Sequence, residues 1–250
     1  MELLKAASQA LQRHAANVAL YIGANTVVSL AMIGIAVLMR QRNPEFLTNP
    51  TTQERIIDVV TLFVASAVWS VVQTVVFSRI GRELDRPLWK VADDREALRR
   101  FFPMWFEFNL VVNTLLWIGQ TIGTFDAIKD AAALPQLFAI AGMAVLVPFG
   151  AAFMFHGHFS WNLVGEGLAP IGRRFAQFAV VFALTVLQIA ILLILDQPLP
   201  ESIDSSLLQV ILYKLFIYAA IAYLDCLVFA ATWLVCKDDR DSPDEFDLDF

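Results

Sequence analysis

Charge is what this sequence has least of. Asp, Glu, Lys and Arg make up 17% of its 250 residues, while 58% are apolar. A water-soluble chain of this length has to hide its apolar surface, and a core this small cannot hide so much of it. Histidine and cysteine are scarce too, with three of one and two of the other. His156 and His158 lie two residues apart, so on a helix they face different sides and cannot chelate one metal. They read as interfacial histidines, and the remaining one, His14, offers no haem pairing. Cys226 and Cys236 are separated by about 15 Å of helical rise, beyond disulfide reach, and read as small buried hydrophobes. No glycine-rich phosphate loop, metalloprotease helix, paired CxxC or GxSxG elbow occurs. Nothing in the sequence therefore argues for an enzyme, and neither a cofactor, a metal nor a nucleic-acid partner is expected.

Six long apolar stretches are present: residues 18–38, 57–78, 105–122, 137–155, 178–195 and 208–235. A helix of about 20 apolar residues crosses a bilayer's hydrocarbon core. None of the stretches shows the strict alternation of a barrel strand, and only helices satisfy their own backbone in lipid. The expectation is an all-α integral membrane protein, with residues 1–236 forming a six-transmembrane helix bundle. Residues 2–16 place Leu3, Leu4, Ala7, Leu11 and Ala15 at helical spacing, which predicts an N-terminal interfacial amphipathic helix. A second interfacial helix is expected from about Leu88 to Phe101. In the fourth stretch Gly142, Pro148 and Gly150 allow a kink or a close helix approach.

The positive charge between the stretches is lopsided. Residues 1–17, 79–104, 156–177 and 236–250 carry thirteen Lys and Arg, against four in 39–56, 123–136 and 196–207. Positive charge stays on the cytoplasmic side, so both termini are expected there, in a bacterial inner (plasma) membrane by default. Arg79, Arg82, Arg86, Arg99, Arg100, Arg173 and Arg174 then become candidate contacts for anionic lipid head groups. Residues 237–250 hold seven acids against two bases and are expected to be a disordered acidic tail. Phe246, Leu248 and Phe250 alternate with acids there, a pattern that suits docking onto a protein partner.

Ionisable and amide groups within the apolar stretches carry the functional expectations. Lys214, Tyr218 and Asp225 fall within roughly 40° of one another on a helical wheel. Asp225 is set near mid-bilayer, where its short side chain cannot reach water and must find a partner inside the bundle. Glu107, Asn109 and Asn113 in the third stretch are candidate members of the same ligand or ion path. The second stretch adds Ser66, Ser70 and Gln73, the first Asn25 and Ser29, and the fifth Gln177, Thr185 and Gln188. Such groups also serve as ordinary interhelical glue. Two functions fit: a small transporter or channel-like bundle with a polar midplane site, or a non-catalytic membrane subunit that scaffolds or regulates a larger complex through its basic loop and acidic tail.

Overall fold

A computed structural model describes residues 2–43, 51–85, 91–123, 133–157, 169–170, 172–195 and 207–241. Among these, all regular structure is helical. Seven helices carry the fold: α1 (Glu2–Arg13), α2 (Ala15–Arg42), α3 (Thr52–Leu84), α4 (Asp94–Gly123), α5 (Ala133–Phe155), α6 (Phe175–Leu195) and α7 (Leu207–Asp241).

Four of them, α2, α3, α4 and α7, are long and apolar enough to cross a bilayer. The fourth apolar stretch becomes a fifth such element only if α5 counts as one span, because α5 bends by 41° between residues 143 and 145. Pro148 accounts for the bend. Its ring nitrogen cannot donate to the carbonyl of residue 144, four positions back. The apolar part of α6, Phe175–Ile191, is shorter than the others.

What is exposed identifies the solvent of these helices. Val27 is 66% exposed and Phe216 70%, while Ser66, Ser70 and Thr74 are fully buried. A soluble bundle has the reverse arrangement. Apolar outside and polar inside is the pattern of helices whose surroundings are hydrocarbon.

Helix ends are set locally. Thr51 caps α3 reciprocally: Glu54 N–H donates to Thr51 Oγ1 at 3.3 Å, and Thr51 N–H donates to Glu54 Oε2 at 2.7 Å. Asn43 at the end of α2 donates to the same Glu54 Oε2 at 2.9 Å, which ties the two helices together. Asp93 opens α4 by accepting the Glu96 N–H at 2.7 Å. Gly157 closes α5 at φ +80, where its N–H reaches the Met154 carbonyl at 2.9 Å.

Two segments differ in extent from the sequence expectation. The surface helix expected up to Phe101 and the third apolar stretch are one continuous helix, α4. Pro103 lies inside it, exposed, where only one internal hydrogen bond is forgone. The last helix also runs on to Asp241, five residues into the segment expected to be tail. Residues 242–250 lie outside the described residues.

Packing follows chain order from α2 to α5, each helix lying against the next. The last helix, α7, then inserts against α1, α2, α3, α5 and α6. Two glycines allow close approach. A Cβ on Gly150 would sit 2.2 Å from the Trp105 ring, and one on Gly81 would sit 2.7 Å from the Trp233 ring.

Candidate functional site

Polar side chains of the interior meet around one cavity of about 160 Å³, lined by residues of all six helices from α2 to α7. Its polar wall consists of Tyr21 and Asn25 on α2, Trp69 and Gln73 on α3, Asn109 and Asn113 on α4, Gln188 on α6 and Asp225 on α7. The apolar lining comes from Met143, Leu146 and Val147 of α5, with Val112, Ile189 and Ile221.

Asp225 is the centre of the polar wall. Its Oδ2 accepts the Tyr21 hydroxyl at 3.0 Å and its Oδ1 accepts the Gln188 amide at 2.6 Å. Both donors are neutral. Among the described residues, no cation forms a salt bridge with this carboxylate. Nearby, the Trp69 indole N–H donates to Asn25 Oδ1 at 3.1 Å, and the Asn25 amide donates to the Tyr218 carbonyl at 3.4 Å. Four helices are thus joined at one level by side-chain hydrogen bonds through Asp225 and Asn25.

A polar seam between α3 and α4 leads away from the cavity. Asn109 Nδ2 lies 2.6 Å from Gln73 Oε1, 3.0 Å from Ser70 Oγ and 2.8 Å from the Trp105 carbonyl, so two hydrogens are shared among three acceptors. Asn113 donates to Ser66 Oγ at 2.9 Å, and Trp117 Nε1 donates to Asp58 Oδ2 at 2.6 Å. The four-residue spacing of Trp105, Asn109, Asn113 and Trp117 keeps them along one side of α4, facing an antiparallel partner. From Asp58 to Gln73 the seam spans about 22 Å of helical rise.

On the other side of the cavity the interior turns aromatic. Tyr21 packs on Phe77 with ring centroids 5.0 Å apart, and Phe77 stacks on Phe229 at 4.4 Å. Phe229 meets Trp233 at 5.6 Å, and Trp233 meets Phe155 edge-on at 5.3 Å. Phe77, Trp105, Phe229 and Trp233 are fully buried. Beyond them the end of α7 is fastened down. Arg240 forms two bonds to Asp85, at 2.7 and 2.9 Å, and its guanidinium lies 5.1 Å from the centre of the Phe155 ring. Lys237 donates to the Leu84 carbonyl at 3.2 Å.

Of the residues singled out in the sequence as a ligand path, Asn109, Asn113 and Asp225 line this cavity. Glu107 is exposed on α4, and neither Lys214 nor the Tyr218 side chain borders the cavity. Tyr218 contributes its backbone carbonyl instead. The sequence reading missed Tyr21, whose signal was its position one turn before Asn25, and Asp58, which stood at the edge of an apolar stretch.

Most of the arginines singled out for lipid contact hold carboxylates of the chain itself. Arg79 and Arg82 converge on Asp94, and Arg82 also reaches the Ala92 carbonyl at 2.8 Å. Arg100 pairs with Glu96 at 2.5 Å. Arg173 and Arg174 approach Asp239 at 3.4 and 3.7 Å. Arg99 is exposed, and Arg86 lies outside the described residues.

The class this architecture defines is an all-helical protein whose apolar helices suit a multi-pass membrane protein. No family model, curated protein or solved structure matches the chain.

Proposed function

We propose that this protein is a small transporter or channel-like bundle whose ligand binds at the cavity beside Asp225. The observation that carries the reading is that polar side chains from five helices line one cavity around a single carboxylate. Ionisable groups in lipid are costly, and those that persist face pathways or binding sites. The seam from Asp58 through Asn113 and Asn109 supplies a polar approach to the cavity from one end. The aromatic layer and the Arg240–Asp85 pair close the other end.

The reading takes α5 and α6 as full spans and places both termini in the cytoplasm of a bacterial inner membrane, with α1 on the membrane surface. Contacts among the positively charged segments support this orientation. Arg79–Asp94, Arg100–Gly157, Arg173–Asp239 and Arg240–Asp85 gather the described parts of these segments at a single end of the bundle. Anionic head groups would meet the chain at that end, where Arg99 is exposed.

The test is a charge-movement measurement. Full-length protein is reconstituted in liposomes on a solid-supported membrane and challenged with jumps of Na⁺, K⁺, NH₄⁺ and small alkylammonium chlorides. At least one cation is expected to give a current in the wild type that Asp225→Asn lacks, while the variant still elutes as a single folded species. No current with any cation, or equal currents from variant and wild type, refutes the reading.

A further inference from the structure

The cavity is lined by two chemically distinct kinds of group, and together they define a ligand. Asp225 stands among neutral donors and amides, α5 contributes only the apolar Met143, Leu146 and Val147, and Ile189 and Ile221 add further hydrocarbon. We infer that the site takes a small organic ammonium ion, its nitrogen against Asp225 and its hydrocarbon part along the α5 side. This rests on the transport reading for its purpose, but the binding claim can be tested separately.

The charge argument comes first. An ionised carboxylate accepts about four hydrogen bonds, and Asp225 receives two within the chain, one on each oxygen. An ammonium group brings donors for the remaining lone pairs together with the positive charge that Tyr21 and Gln188 cannot supply. Pairing of this kind is what makes a carboxylate tolerable away from water.

A hard divalent metal fits less well. Calcium takes six to eight oxygen ligands, usually from several carboxylates. The cavity offers one carboxylate, and no group of three His, Cys, Asp or Glu that could hold a metal occurs among the described residues.

Size sets the upper bound. The cavity measures about 160 Å³, and an apolar protein cavity of about 150 Å³ accommodates benzene. The ligand therefore has about six heavy atoms. The apolar wall gives a hydrocarbon chain a reason to bind that a bare ammonium or sodium ion would not exploit.

The probe is n-butylammonium, compared with n-butanol of the same length and with tetrapropylammonium, which is too bulky. Binding to detergent-purified full-length protein is followed by calorimetry and by the shift in melting temperature. Butylammonium is expected to bind saturably and raise the melting temperature, while butanol and tetrapropylammonium do neither at equal concentration. Asp225→Asn is expected to weaken butylammonium binding by about ten- to a hundredfold, the loss of one charge-assisted contact. Ile189→Phe, which fills the cavity from the apolar side and leaves Asp225 in place, is expected to abolish it. The wild-type comparison of the three probes needs no variant, so the inference stays testable if either substitution fails to fold.

Equal effects of butanol and butylammonium, undiminished binding in Asp225→Asn, or no butylammonium binding at all overturns the inference. An Asp225-dependent sodium current with inert butylammonium leaves the transport reading standing and removes the organic-cation class. Butylammonium binding without any Asp225-dependent current does the opposite.

Discussion

Replacing Gly150 with alanine tests the packing that places α4 and α5 around the cavity. The added Cβ would stand 2.2 Å from one Trp105 ring atom and 2.4 Å from a second, where ordinary contact begins at 3.4 Å. The ring must therefore retreat by about 1.2 Å, or the helices must part. Neither movement is free. Trp105 is fully buried, its Nε1 donates to the Met154 sulfur at 3.3 Å, and the Phe77 ring lies 5.4 Å away. Overpacking a filled interior costs about 1–3 kcal/mol, and an overlap of this size against an aromatic ring belongs in the upper half of that range. Trp105→Phe removes the atoms that clash, so the double variant should be more stable than the two single losses added together. A coupling of about 1–2 kcal/mol is expected, within the range for residues in contact. Unfolding by sodium dodecyl sulfate in dodecylmaltoside, followed by far-ultraviolet circular dichroism, reads all four corners of the cycle without relying on the tryptophan being changed. Wild-type stability in Gly150→Ala, or strict additivity of the two changes, would refute the close approach of α4 and α5.

Two further perturbations complement the tests of Asp225 and of butylammonium. Asn109→Leu removes the donor to Gln73 and Ser70, and at about 0.6 kcal/mol per interhelical bond it should cost about 1 kcal/mol in the same assay. Ending the chain after Asp241 should change stability by less than about 0.5 kcal/mol. Ending it after Cys236 removes Arg240 and leaves Asp85, 2% exposed, without its guanidinium. That should cost about 2 kcal/mol, below the usual figure for a fully buried pair because Arg240 is itself partly exposed. Asp85→Asn should restore much of the loss. The chain ended after Asp241 also tests partner docking through the tail, since an unchanged set of co-purifying proteins removes that idea.

The apolar helices were legible in the sequence because a bilayer imposes a length and a composition on whatever crosses it. Their ends were less so. The surface helix expected to end at about Phe101 continues into the third stretch, because the exposed Pro103 between them forgoes a single hydrogen bond and α4 runs through it. The lone glycines of α5 gave no sign of what each receives, because the Trp105 ring against Gly150 and the Val112 methyl against Gly142 lie on another helix and the match is one of shape. Asp225 stood out as a carboxylate deep in an apolar run. Its partners did not, since helical spacing relates residues on one helix only. Lys214 and Tyr218 share a wheel sector with Asp225 and still do not border its cavity, whereas Tyr21, 204 positions earlier, donates to it. The arginines illustrate the same limit. Their number predicts a side of the membrane, but the carboxylates that occupy Arg79, Arg82, Arg173 and Arg174 come from elsewhere in the fold.

The packing of α7 against five other helices has a consequence for how the protein is made. Translation delivers residues in order at roughly 5–20 per second, and α7 leaves the ribosome after the six helices that precede it. Until it arrives, Tyr21 and Gln188 face a gap where Asp225 will stand, Phe77 lacks its stacking partner, and α1 lacks the helix it mainly packs against. The earlier helices can enter the membrane one by one, but the bundle can close only once α7 has followed them. Closure of the bundle is therefore a single late docking step. A nascent chain stalled before residue 207 should be open to proteases and to chaperones in a way the completed molecule is not.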